Sequence, residues 1–551
     1  VTDASMAPAP FTYRDQVTSS MLWGAWADAV GFITELTDEQ GLQRRTGGEG
    51  LHTTIEWKRR VGGQYGVQAR LPAGTYSDDT QLRLAVARSI SGQGFDVEAF
   101  ARIELTVWPA YALGGGRASR AAASGMAKAN ATWHTNYYDG WTQSGGNGAA
   151  MRIQPHVWAA GNDDTYIVPV LRDAVVTHGH PRALVGAVLH AVGLAFAFRQ
   201  RRTAAVSDWR ALLHATSRAV QFFSDDTDLH TIWVPSWERQ ERRSFADAWE
   251  EAVQECSKLL ESGAAFVAEV REPGVIPAHA YRTMAERMGL TEKKTLGSGT
   301  ATVTAAMALA AAFENRPLEA TLLAAGALGT DTDTIATVAA CTIAAAIPSE
   351  PPGAIQDETY LRAEAARLSA IAAHEKSRTF PYPDTLRWKP PQSQLDAVGL
   401  RGDRVALAGI GWLEPMTPPT GSRDAAWSWM QSSIGASFLV KHRLDLRELP
   451  TGNVPSDRDV WQSRPSDSAS AKRAPQQEVL FDDALVHHPV ATRPRHDSSR
   501  VRVEDVLSEL QREGLEDDAA IGRALRVVAR SGTRDQLAVL AGTLFTLLRE
   551  Q

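Results

Sequence analysis

Gly329-Thr330-Asp331-Thr332-Asp333-Thr334 runs without a break into Ile335-Ala336-Thr337-Val338-Ala339-Ala340 and an apolar, alanine-rich stretch reaching about Ile347. No other feature limits the fold as much, because so apolar a helix belongs inside other helices rather than on a surface. Two carboxylates and a hydroxyl at i, i+2 and i+3 then stand at the mouth of a core helix. There the free N–H groups and the helix dipole favour negative charge. Such oxygens can converge on one hard cation. Simple N-capping is the competing reading, since Asp and Thr are usual caps, but a cap needs only one of them.

The same arrangement recurs upstream. Ser77-Asp78-Asp79-Thr80 precedes the apolar run Gln81 to Ile90. Adjacent aspartates repel, which is hard to justify in a first turn unless a cation lies between them. Together the two heads could hold two adjacent divalent ions, and with no His or Cys around them Mg2+ or Mn2+ suits better than Zn2+. A third copy, Ser224-Asp225-Asp226-Thr227, leads into His230–Pro235, which has proline and no helical period. A solvated loop is expected there.

Other stretches carry weaker signals. A helix is expected from near Arg14 through Gly24-Ala25-Trp26-Ala27-Asp28-Ala29-Val30-Gly31, with small residues for close packing. Asp28 is its one embedded charge, either on the far surface or facing a site, and Glu35 follows two turns later. Residues 36–74 are glycine-rich and read as a long irregular connection; Asp96 to Ala112 reads as a helical span kinked at Pro109. Ser144 to Arg152 contains Gly146-Asn147-Gly148-Ala149, which suits a phosphate-cradling loop or an ordinary turn. The two histidines of Thr177-His178-Gly179-His180-Pro181 could meet a ligand or cap a turn, and Pro181 suits the first helical position. Gly297-Ser298-Gly299 opens another long helix.

The 551 residues exceed one average domain, and 44% hydrophobic against 22% charged residues means that most of the chain folds. Net charge −7 and a pI near 6.1 argue against general binding to nucleic acid or an anionic membrane. Cys256 and Cys341 fall within apolar helical patterns and are expected as buried free thiols. No signal peptide or uninterrupted membrane-spanning stretch is evident, so a cytoplasmic location is expected. The expected organisation is a flexible arm over 1–14, a helical domain over 15–375, a small mixed accessory region over 376–449, a flexible linker over 450–500 and a helical segment over 501–551.

Six blocks, in order, resemble the ADP-ribosylglycohydrolase family, the group of the dinitrogenase-reductase-activating glycohydrolase and the ADP-ribosylarginine hydrolases. They are 24–31 with Glu35, 77–80, 146–152, 177–181, 297–299 and 329–334. The resemblance implies an all-α, orthogonal helical bundle around two Mg2+ ions (Mn2+ being an alternative), here with a small irregular or mixed C-terminal extension. It implies Ser77, Asp78, Asp79, Asp331, Asp333 and Thr334 as metal ligands and Glu35 as the acid that positions or activates water. Asp28 supports the site and Asp78 is shared with the catalytic group. Gly146, Asn147, Gly148 and Ala149 would wrap the diphosphate, with His178 and Gly297, Ser298 and Gly299 also on the ligand side. The implied reaction is hydrolysis of the N- or O-glycosidic bond between ADP-ribose and a modified protein or small molecule, a modified nucleic acid being a less favoured target. Two alternatives stay open: an ADP-ribose-binding regulatory or immunity protein whose C-terminal region meets a partner, and a hydrolase of another ribosyl compound. The chain departs from the family pattern at Ala27, Ser77, Thr300 and Thr330, none of which removes a ligand oxygen.

Overall fold

The computed structural model describes residues 11–454 except 64, 65, 129, 162, 423 and 424, together with 506, 518–531, 540, 541, 543 and 544. Two compact units divide the chain, residues 1–466 and 467–551.

The first unit is mostly helical. α1 (Tyr13–Thr34) begins with a capping box in which Thr12 and Asp15 satisfy each other's backbone, and it is buried almost all round. α2 (Glu39–Thr46) follows, then the antiparallel hairpin of β1 (Trp57–Val61) and β2 (Val67–Leu71). α3 (Asp78–Arg88) leads to a short hairpin, β3 (Ile90–Ser91) and β4 (Gly94–Phe95). A helical run is then built from α4 (Val97–Ala99), a π-helical turn at Phe100–Glu104, α5 (Leu105–Val107) and a 3-10 turn that takes in Pro109. Next come α6 (Arg117–Met126), α7 (Gln154–Ala160), α8 (Ile167–Thr177), α9 (Pro181–Gln200), α10 (Trp209–Arg218), α11 (Phe222–Asp225) and α12 (Val234–Glu241). α13 (Phe245–Val270), α14 (Pro277–Arg287), α15 (Gly299–Ala312), α16 (Pro317–Ala325), α17 (Thr332–Ala346) and α18 (Glu358–Ala372) complete the bundle.

The centre is built from helices with no polar face. α15 and α17 are alanine-rich and buried along nearly their whole length, and they pack with α1 and α9. Small residues set the spacing. A Cβ at Gly31 would lie 2.4 Å from Asp333 Cα, and one at Gly186 would lie 2.5 Å from Gly299 O. α9 is the one described helix long and apolar enough to cross a membrane, and 89% of its apolar window is buried in the bundle. Cys256 and Cys341 are buried free thiols, as expected.

After α18 the chain becomes a distinct antiparallel sheet, ordered β10-β9-β7-β6-β5 with β8 added to β9. Its strands are β5 (Val398–Arg401), β6 (Arg404–Leu407), β7 (Gly411–Pro415), β8 (Thr420–Ser422), β9 (Ala425–Ser432) and β10 (Ser437–Arg443). It docks on the bundle through Phe438 against Tyr111, with ring centroids 4.6 Å apart, and through Asp357, which accepts from Ser437 N at 2.6 Å. In the second unit, α19 (Asp518–Ser531) contributes Ala524 and Val528 to a small cluster with Leu540 and Leu544.

Several expectations are corrected. Residues 36–74 hold α2 and the β1–β2 hairpin, whose alternation is hidden by charged residues and glycine. The C-terminal extension takes the form of the antiparallel sheet just described. The 223–228 string is not a solvated loop: Asp226 is buried, pairs with Arg172 at 2.5 Å and accepts from Leu229 N at 3.0 Å. Tyr13 and Arg14 already belong to α1, and the rest of the expected arm up to residue 10 lies outside the described residues. The expected linker from 455 onward and most of 501–551 also lie outside them.

Candidate active site

The two acidic helix heads face each other because α1 holds both. On one side Thr332 Oγ1 donates to Gly31 O at 2.9 Å, and Gly31 lies flush against the Asp333 backbone. On the other, Asp28 reaches across to the head of α3. Its Oδ1 accepts from Ser77 N at 2.9 Å, and its Oδ2 accepts from Thr80 N at 2.9 Å and Thr80 Oγ1 at 2.6 Å. Arg83, itself buried, ties the pieces together by donating to Gln154 Oε1, Met151 O and Thr337 Oγ1.

At the head of α3 capping is therefore supplied without Asp78 and Asp79. Ser77 Oγ accepts from Asp79 N at 3.2 Å, and Asp28 takes the neighbouring N–H groups. Asp331 makes no side-chain cap to its own helix; its Oδ2 accepts from Asn147 Nδ2 at 2.6 Å. Asp333 Oδ1 accepts from Thr334 N at 2.9 Å. Asp79 Oδ2 is buried with no hydrogen-bond partner. Leaving such an oxygen unpaired is costly, which marks it as a position for something the protein itself does not supply.

Burial first, then mutual repulsion, raises Asp78, Asp79 and Asp333. Asp78 is pushed up to about 8 by burial and by the charges of Glu35 and Asp28. Asp79 is raised well above the carboxylate range by burial, then by Asp28, Asp78 and Asp331. Asp333 is raised likewise by burial, Glu35, Asp79 and Asp331. Among the described residues no three His, Cys, Asp or Glu side chains stand close enough to grip an ion as they are. The donor chemistry fits one nonetheless. The group is all oxygen, mutually repelling and buried, and one of its oxygens has no partner, which are conditions that a hard divalent cation relieves.

The second wall is made by two loops far apart in sequence. Asn147 N donates to Gly297 O at 2.8 Å and Gly299 N to Gly145 O at 3.0 Å, with Gly146 bridging Ser298. Arg152 fixes the loop from behind by donating to Gly148 O at 2.7 Å, while its guanidinium is held by Asp173 at 2.9 Å. His178 sits beside Gly148 with Nδ1 2.7 Å from Thr177 Oγ1. Burial, reinforced by Arg152, lowers His178 to about 3, so the ring is neutral.

These walls enclose a cleft of about 950 Å³. Glu35, Asp78, Asp79, Asp331, Asp333 and Thr334 line it, as do Gly146, Asn147, Gly148, His178, Gly297 and Ser298. Asp28, Ser77, Ala149 and Gly299 stand behind the lining and shape it. Arg60, Arg117, Arg120, Lys293 and Lys294 lie around the same cleft. Acidic and cationic side chains thus line one cleft.

Three contributors escape the sequence motifs. Glu35 pairs with Arg59 of β1 at 3.0 Å. Burial raises Glu35 and Arg59 opposes it. Arg59 shares one face of β1 with Trp57 and Val61, an alternation that the charged neighbours Lys58 and Arg60 hide in the sequence. Gly114, at φ +136°, brings the chain against Asp78, and its neighbouring glycines mark that turn. Arg83 gives no sequence signal beyond a cation in an apolar run.

Residues 9–374 match the family model described as ADP-ribosylglycohydrolase. A solved chain titled "ADP-ribosylglycohydrolase-related protein complex" is 21% identical, with 65% of this chain and 99% of that chain covered at a TM-score of 0.39. No curated protein matches the chain. On the family match, which spans more than half of its length, this chain belongs to the ADP-ribosylglycohydrolase family, and with it goes a glycohydrolase-type activity in general.

Proposed function

We propose that the protein hydrolyses the glycosidic bond between ADP-ribose and a modified target, with Mg2+ or Mn2+ bound, and releases ADP-ribose. The observation that carries this reading is the buried, mutually repelling acid floor, with Asp79 Oδ2 unpaired, opening into a cleft with cationic residues around it. Ser77, Asp78, Asp79, Asp331, Asp333 and Thr334 would hold the cations, with Ser77 placed behind the lining as the helix cap. When bound, such ions polarise oxygens and orient a sugar diol.

The chain's own groups do the rest. N–H groups and glycines of the 145–148 and 297–298 loops suit a diphosphate, with Asn147 steadied by Asp331 and Thr302. Glu35, half-buried on the wall, would direct water and stabilise positive charge growing on the ribose. Asp28 acts through position alone, since both of its oxygens are committed to the head of α3.

The test offers ADP-ribosylated arginine, serine and nucleic-acid substrates and follows ADP-ribose release by chromatography, with Mg2+, with Mn2+ and with chelator. Metal-dependent release from at least one substrate is expected. An inert protein across the whole panel overturns the reading.

A further inference from the structure

A five-residue two-stranded hairpin is marginal in water on its own, so β1–β2 needs external support. Its inner face meets α1: the Arg59 guanidinium lies 4.3 Å from the Phe32 ring centroid and donates to Glu35 Oε2 at 3.0 Å. Other contacts come from α2, whose Arg45 guanidinium lies 4.9 Å from the Trp57 ring centroid, and from the C-terminal sheet. Trp429 Nε1 donates to Arg70 O at 3.0 Å. At the turn, Gly62 lies so close to Trp427 that a Cβ would stand 2.4 Å from Cζ2. Phe32, Ile33, Trp57, Ala69, Leu71, Leu113, Trp429 and Leu439 form one small core joining the end of α1, the hairpin and the sheet.

Glu35 sits where α1 has ended, with Leu36 at φ +49° directly after it. Arg45 fixes the local backbone by donating to Ile33 O and Glu35 O. The carboxylate's direction depends on Arg59, and Arg59 depends on the hairpin.

We infer that the β5–β10 sheet, which lies beyond the family-matched segment, is a strut of the cleft: through Trp427 and Trp429 it fixes the hairpin so that Arg59 aims Glu35. Arg59 is thus a positioning residue. This rests on the reading of Glu35 as the group that acts on water.

The test uses the full chain with Arg59→Gln, Arg59→Lys, Trp427→Ala, Trp429→Phe and the double variant Arg59→Gln/Trp427→Ala. Small misplacements of a reacting group can cost about 100-fold, so Arg59→Gln is expected to lower kcat by about 10- to 100-fold. The dissociation constant of ADP-ribose, measured by calorimetry, should stay unchanged, and Arg59→Lys should restore part of the loss. Trp427→Ala should show the same signature, and the double variant should be no slower than Arg59→Gln alone, because the two act in series. Multiplicative losses in the double variant overturn the inference, as does loss of ADP-ribose affinity in step with kcat. If Trp427→Ala does not fold, Trp429→Phe, which removes the N–H donor and part of the ring volume but keeps an aromatic face, carries the same comparison with a smaller effect. Amide exchange gives a readout independent of catalysis. Faster exchange at residues 33–36 and 57–71 in the tryptophan variants supports the strut even if the wild type is inert on every substrate. Unchanged exchange there overturns it whatever the activity.

Discussion

Asp28 gives both carboxylate oxygens to donors at the head of α3, whereas Asp79 Oδ2, one helix away and equally buried, meets none. The two should respond oppositely to substitution. Asp28→Ala strands three buried donors, and at about 1–3 kcal/mol for each group left unsatisfied the loss should be several kcal/mol. Urea denaturation measures it. Asp79→Asn relieves a repelled, buried acid, so in chelator this variant should melt above the wild type. Added Mg2+ or Mn2+ should raise the wild-type Tm and leave Asp79→Asn nearly unmoved. A thermal-shift titration checks both arms, and equal metal stabilisation in the two proteins would remove Asp79 from the ligand set.

At the scale of elements, the bundle depends on two helices approaching closely at one glycine. Gly31→Ala would place a methyl 2.4 Å from Asp333 Cα, against backbone that cannot swing away. Overpacking of this kind costs about 1–3 kcal/mol, and here the displacement falls on the acid floor. Activity should therefore fall further than stability predicts, which denaturation and turnover measured together would reveal. The helix heads were legible in the sequence because apolar periodicity and paired acids are local signals. Ser77–Thr80 and Gly329–Thr334 stand where those signals put them. The hairpin was not legible: Lys58, Arg59 and Arg60 fill most of β1, and the reason for its place lies in Trp427 and Trp429, some 360 residues later. Asp226 misled for the converse reason. Its carboxylate is buried by an arginine on α8 that no local pattern announces.

Across the whole molecule, neutral histidines set a limit on acid tolerance. Burial, reinforced by Arg83, lowers His190 to about 3, and His178 stands at a similar value. Between that value and the unfolded one of about 6.5 the unfolded chain binds more protons. Their contribution is thus complete above about pH 6.5 and is lost as pH falls towards 3, by up to about 1.4 kcal/mol per pH unit for each ring. The stability difference between wild type and His190→Leu should accordingly shift in favour of the variant from pH 7 to pH 5. Urea melts at the two values decide it, and a constant difference would show that the ring takes up its proton in the fold as readily as in the unfolded chain. One feature of the architecture reaches back to synthesis. α1 is buried almost all round and packs along α17, which leaves the ribosome some 300 residues later. At about 5–20 residues per second, on the order of 15–60 s pass before α1 meets that partner. Through that interval Met21, Leu22, Trp23 and Trp26 are an exposed greasy ribbon on a nascent chain. The helix that later holds both acidic heads in register therefore spends that interval without the partner it packs against most extensively.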